Sequence, residues 1–154
     1  MEGNRGFSVV EILVVLLLIA ILLSWAAGAF NGYQQRVAAR RAAEVFVQDL
    51  NVTKTEASRS RRVTVLDFDE GGLGYVVRME SGDTILRRSY DDQAEIPLTF
   101  LDLQTAGDTL AFDRQGQADL GGTGAALGRA VFSRGNTSFT VSFNSMGVAR
   151  IEGT

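Results

Sequence analysis

Hydrophobic and polar positions divide this chain into three patterns. From Ile12 to Phe30 no charged residue occurs, and Leu, Ile, Val and Ala dominate. That length of apolar helix can cross a hydrocarbon core of roughly 30 Å. Beyond it Val37, Ala39, Ala42, Phe46, Leu50, Thr53 and Ala57 recur at spacings of three and four, while Arg40, Arg41, Glu44, Gln48, Asp49 and Lys54 take the other faces. No proline interrupts Ser8 to Ser60, and Gly28 and Gly32 are the only glycines there. The spacing therefore predicts one helix of about 80 Å, apolar all round in its first half and amphipathic in its second.

After Arg62 the period falls to two. Alternation predicts antiparallel strands at Val63–Phe68, Tyr75–Met79, Thr84–Arg88, Leu98–Leu101, Thr109–Asp113, Ala130–Ser133, Thr137–Phe143 and Val148–Glu152. Turn signals separate them, among them Gly71-Gly72, Ser81-Gly82-Asp83, Arg134-Gly135-Asn136 and Asn144-Ser145-Met146-Gly147. A sheet needs its apolar face covered, and the stripe Phe46, Leu50, Ala57 is the available cover. The expected body is α+β, one long helix packed on an antiparallel meander or hairpin stack. The Gly- and Ala-rich stretch Leu120–Gly128 reads as a mobile loop. No repeat and no second domain stand out.

Composition narrows the chemistry. The chain has no histidine and no cysteine, which removes the commonest general base, the thiol nucleophile, the disulfide and nearly every zinc or redox-metal site. No lysine stands at the spacing of a Ser-Lys pair either, so nothing points to an enzyme or to a cofactor. Fifteen Lys+Arg against 18 Asp+Glu give no global basic field for nucleic acid. The clusters Arg59-Arg61-Arg62 and Arg87-Arg88 read as solvated faces or as ion pairs with a neighbouring subunit. Asp67, Asp69 and Glu70, or Asp91, Asp92 and Glu95, lack the ligand pattern of a calcium loop and read as turn and surface residues.

The most specific stretch is Arg5-Gly6-Phe7-Ser8-Val9-Val10-Glu11, followed at once by the apolar run. It resembles the N-terminal signal of type IV prepilins and type II secretion pseudopilins, because glycine, a large apolar residue, a glutamate at fixed offset and an uninterrupted apolar helix occur together. The resemblance implies a type IV pilin-like fold and a leader of residues 1–6. A prepilin peptidase would cut between Gly6 and Phe7, and Phe7 would then be N-methylated. It also implies a transmembrane segment at 7–30 and an extracytoplasmic α+β domain at 31–154. Such a subunit would span the bacterial inner membrane once, N-terminus cytoplasmic and domain periplasmic, before joining other pilins or pseudopilins in a filament.

Physical chemistry gives Glu11 a task in that picture. A carboxylate inserted in a membrane-spanning apolar helix costs ~2.5–3.5 kcal/mol, so it needs a partner. An α-amino group, with a reference pKa of roughly 7.7–8.0, is largely protonated at neutral pH, and methylation keeps its charge. Glu11 can therefore pair with the Phe7 amine of a neighbouring subunit and set the axial register. Two simpler interpretations compete. Ser8-Val9-Val10-Glu11 fits a capping box, and the two roles are compatible. Arg5 and Ala27-Gly28-Ala29 could belong to an ordinary secretory signal, although Glu11 sits badly at the head of its apolar region. Arg36, Arg40 and Arg41 outnumber Arg5 on the side expected to be external, against the positive-inside rule.

Leu110–Ala118 and Phe139–Ile151 each read as a strand running into a glycine turn, and they resemble the GspH/FimT family of minor pilins and pseudopilins. That resemblance implies a minor subunit, near the tip of a type II secretion pseudopilus or a type IV pilus. The alternative is a tip-located module that captures DNA or a secreted substrate. Some FimT-like subunits carry Gly-Arg-x-Arg in the last hairpin and bind DNA. Here Gly147-Val148-Ala149-Arg150 keeps only the second arginine, so Arg150 is the one candidate for a weak DNA contact, and nucleic acid is disfavoured as a partner.

Overall fold

The structure is a computed structural model that describes residues 8–69, 72–104, 109–120 and 127–153. Helix α1 runs without a break from Val9 to Ser60. It starts where the Ser8 carbonyl accepts the N–H groups of Glu11 (3.0 Å) and Ile12 (3.2 Å). It passes straight through Gly28 and Gly32. It stops at Arg61, whose φ of 52° lies in the left-handed region that usually ends a helix at glycine. Contacts divide the chain into one unit up to Gln34 and a second from Gln35 onward.

In the first unit the apolar side chains of the helix are bare. Val9, Val10 and every large hydrophobic from Ile12 to Leu23 are exposed, as are Trp25, Phe30 and Tyr33. The helix is long and apolar enough to cross a membrane.

Among the described residues the second unit contains nine antiparallel strands: β1 (Thr64–Phe68), β2 (Gly74–Met79), β3 (Thr84–Ser89), β4 (Phe100–Gln104), β5 (Thr109–Phe112), β6 (Ala118–Asp119), β7 (Gly128–Arg134), β8 (Thr137–Phe143) and β9 (Ala149–Gly153). They form two sheets, ordered β3-β2-β1-β5-β6 and β4-β7-β8-β9, where the sequence predicts one stack of hairpins. Alternation marks a strand but not its partner. Here β5 returns to β1, with Leu110 opposite Leu66, and β4 pairs past the β5–β6 hairpin with β7, Leu103 opposite Ala130. The strand expected at Leu98–Leu101 begins later, at Phe100, because the Leu98 N–H is turned back onto the Tyr90 carbonyl at 2.8 Å. Strand β6 is two residues long and carries no alternation to read. Of the Leu120–Gly128 loop, residues 121–126 lie outside the described ones, and Gly128 already belongs to β7.

The amphipathic half of α1 covers both sheets. Ala39, Ala42, Ala43, Phe46, Leu50, Thr53 and Ala57 are fully buried. Phe46 is the hub: its ring lies 5.8 Å from Phe68 of β1, 5.6 Å from Tyr75 of β2, 5.2 Å from Phe132 of β7 and 6.2 Å from Phe143 of β8. Edge-to-face rings at such spacing add about 0.5–1.5 kcal/mol per pair to the area they bury. With no disulfide available, this aromatic cluster holds the two sheets to the helix.

Two hairpin turns, one in each sheet, share a plan that spacing rules do not reveal. Phe112-Asp113-Arg114-Gln115-Gly116-Gln117-Ala118 and Phe143-Asn144-Ser145-Met146-Gly147-Val148-Ala149 match in outline. In the first, Asp113 Oδ1 accepts the N–H groups of Gln115 (2.9 Å) and Gln117 (2.8 Å). In the second, Asn144 Oδ1 accepts those of Met146 (3.0 Å) and Val148 (2.9 Å). Gly116 (φ 77°) and Gly147 (φ 72°) occupy the left-handed position that each turn requires. A Cβ at Gly116 would collide with the Ser58 hydroxyl and crowd Lys54, and one at Gly147 would crowd the Lys54 stem. The Lys54 ammonium donates to the Met146 carbonyl at 2.6 Å, and the Ala118 N–H donates to the Ser145 carbonyl at 2.6 Å, tying one turn to the other.

Candidate functional site: the head of the helix and a buried carboxylate

Gly6 and Phe7 lie outside the described residues, so the proposed cut and its methylation are not placed. Glu11 is placed, in the first turn of α1. With Ile12, Val15 and Leu16 it lines a shallow depression of about 300 Å³ in an otherwise apolar helix. Among the described residues its carboxylate has no hydrogen-bond or ion-pair partner, and the Ser8 hydroxyl does not cap the helix. The start is held by the Ser8 carbonyl alone. Within a hydrocarbon layer an unpaired carboxylate beside aliphatic side chains is costly unless a cation answers it.

The second acidic residue of note is Asp49, and it corrects an expectation. Helical spacing assigns it to a polar face, yet it is 3% exposed. Asp49 Oδ2 accepts the Tyr75 hydroxyl at 2.8 Å and Arg88 Nε at 2.7 Å, and Oδ1 accepts Arg88 Nη2 at 3.0 Å. The Tyr90 hydroxyl lies 3.3 Å from that of Tyr75. Arg88 comes from β3, the free edge of the five-stranded sheet, so the fork-to-carboxylate pair fastens an edge strand to the helix. The hydrogen bonds it donates to Asp49 hold the Arg88 guanidinium pKa above its ordinary value, outweighing the partial burial that works against the charge. Burial, with Tyr90 and Asp49 nearby, pushes the Tyr75 phenol far above 10, and burial raises Tyr90 as well. A signal existed in the sequence: Asp49 stands three residues after Phe46 and four before Thr53, on the apolar stripe itself.

The other flagged residues scatter. Arg88 pairs within its own chain, whereas Arg87 faces solvent beside a cleft of about 510 Å³ that Asp67, Arg78 and Ser89 also line. Arg59 pairs with Glu56 at 3.0 Å, and Arg61 and Arg62 are exposed. Asp67 accepts the Thr109 hydroxyl at 3.2 Å and stands 3.7 Å from Arg78. Asp91 accepts the Gln93 N–H at 3.1 Å, while Glu70 lies outside the described residues. Among the described residues no three acidic side chains converge on a metal position. Arg150 is exposed on β9, opposite Ser142 of β8, and Ser142 is in turn opposite Arg129 of β7.

A bare apolar helix that enters a small two-sheet domain as its packing helix defines the class of membrane-anchored filament subunits of the type IV pilin kind. Residues 1–27 match the prokaryotic N-terminal methylation motif. Residues 42–147 match type II transport protein GspH, and the chain belongs to that family. It is 31% identical to the competence protein ComGD of Bacillus subtilis (strain 168) over 133 residues, 86% of each chain. Its fold is similar to crystal structures of the Pseudomonas aeruginosa (strain PAO1) type IV minor pilin FimU in two crystal forms. One superposes with a TM-score of 0.56 at 19% identity, over 78% of this chain and 92% of that one. The other gives 0.52 at 16%, over 73% and 91%. The chain is thus a minor pilin or pseudopilin, and its family and fold are those of structural filament subunits. Membership implies processing by a prepilin peptidase and assembly with other pilins.

Proposed function

We propose that this subunit is anchored in the bacterial inner membrane by residues 7–30, N-terminus cytoplasmic, with residues 31–154 outside the cytoplasm. Cleavage between Gly6 and Phe7 and methylation of Phe7 create an amine that the Glu11 carboxylate of a neighbour binds as the filament forms. The observation that carries this reading is Glu11, an unpartnered carboxylate at the head of an exposed apolar helix. Neighbouring helices supply the apolar cover, and their amines supply the cation. The subunit acts by assembly and not as an enzyme. A minor subunit fits a filament end, and the tip is the end assigned to it in this reading.

The test has two arms. Co-expression with a prepilin peptidase should remove the six leader residues and add a methyl group to Phe7. A mass spectrum showing an intact Met1, or a cut after Ala29, refutes the processing. Glu11→Ala and Glu11→Gln should both insert normally and both lose cross-linking to filament partners. Wild-type cross-linking in the Gln variant would leave Glu11 as a helix cap, since Gln also serves a capping box.

A second reading, capture of DNA, rests on Arg129 and Arg150 flanking Ser142 on the outer face of the four-stranded sheet. It predicts retardation of DNA that weakens steeply with salt. The chain's net charge of −3 works against it.

A further inference from the structure

The two glycine turns supply an internal control. They share the buried phenylalanine, the side-chain oxygen that gathers two N–H groups, and the left-handed glycine. Their solvent positions differ. One presents Arg114, Gln115 and Gln117, and the other presents Ser145, Met146 and Val148. The polar version folds the same way, so the turn does not require apolar side chains there. Met146 and Val148 nonetheless expose 66% and 64% of their surface.

Leu127, half exposed, stands at the same end of the sheet, because Gly128 after it pairs with Phe143 at the start of the turn. In the second unit, among the described residues, Val52 and Phe100 are the only other exposed large hydrophobics. Lys54 and Ala118 hold the carbonyls of Met146 and Ser145, so the turn has less backbone freedom to lose when a partner meets it. One row further along the sheet stand Arg129 and Arg150, both exposed and, among the described residues, neither in an ion pair.

We propose that Leu127, Met146 and Val148, rimmed by Arg129 and Arg150, form a docking surface for a neighbouring filament subunit that presents an apolar strip bordered by carboxylates. The proposal rests on the filament reading above and names the partner chemistry of a second contact, separate from Glu11. Methionine and arginine, both present here, are enriched in protein interfaces. The aromatic side chains typical of a membrane interface are missing from the patch. Three aliphatic side chains would gain nothing from a phosphate backbone.

The test uses the full chain in cells that assemble its filament. A photoreactive residue replacing Met146 should give a discrete adduct with another subunit, through a peptide whose apolar residues are flanked by Asp or Glu. The same residue replacing Gln115 should give none. Met146→Gln with Val148→Gln installs the side chains its twin already tolerates, so folding is preserved. That variant should lower both the adduct and incorporation into sheared filaments by about tenfold, the loss of roughly 1.4 kcal/mol of contact. Equal adducts at both turns, adducts to lipid or DNA alone, or full incorporation of the double variant would overturn the docking surface. Absence of the wild-type chain from the filament fraction would instead overturn the filament reading.

Discussion

The two halves of α1 use the same helical geometry to opposite ends. From Val9 to Leu23 apolar residues face every direction and none is buried by the chain itself. From Ala39 to Ala57 the buried ones form one stripe that the sheets close, while Val52 stays exposed off it. Burial in the second half stabilises the domain directly, at about 25 cal/mol per Å² of apolar surface. In the first half lipid is as apolar as the helix, so no hydrophobic drive separates the two. Selectivity there has to come from packing and from the one carboxylate. A polar atom thus stands differently in each: Glu11 has no partner among the described residues, and Asp49 finds its partners within the domain.

The contrast can be broken most severely at Phe46. Phe46→Ala should cost the domain about 3–5 kcal/mol, because the ring contacts strands of both sheets and the cavity cannot collapse from either side. Urea titration followed by protease resistance measures it, with membrane insertion unchanged. Arg88→Ala should cost about 2–3 kcal/mol by leaving the buried Asp49 carboxylate uncompensated, reduced from a fully buried pair because Arg88 is 44% exposed. Replacing both partners by apolar residues should recover part of that loss.

Alkali offers a third probe. The Tyr75 phenol is held protonated in the folded chain but ionises near pH 10 when unfolded. Its contribution is therefore complete below pH 10 and is lost as the pH rises beyond it. Tyr75→Phe should flatten the fall in stability above pH 10, measured by circular dichroism, and Tyr90 should account for part of what remains. The smallest effect belongs to the bare half of the helix. Leu16→Ala should move domain stability by less than about 0.5 kcal/mol, since that side chain is exposed and outside the buried core.

Legibility in the sequence followed the same divide. The apolar run, the stripe through Phe46 and Leu50 and most strands could be read because one period governed each. The split into two sheets could not, since Leu66 and Leu110 pair across 44 positions and no local signal carries that information. Glu11 stood out because a charge is rare in such surroundings. Asp49 did not, because on an amphipathic helix a carboxylate looks solvated until a partner from β3 closes over it. The twin turns escaped notice for another reason: their likeness is a side-chain oxygen doing one job, whether Asp or Asn supplies it.

Lys54 is the only lysine in the chain. Its ammonium nitrogen rests on the Met146 carbonyl at 2.6 Å, beneath both glycine turns. An acylating reagent directed at amines therefore finds just two nitrogens to attack, the N-terminal one and this one. Reaction at Lys54 demands that the nitrogen first leave the carbonyl. The labelling rate at that position, read by mass spectrometry on intact cells, becomes a clock for how often the last hairpin lifts from the helix. A neighbour seated on the hairpin should slow that clock.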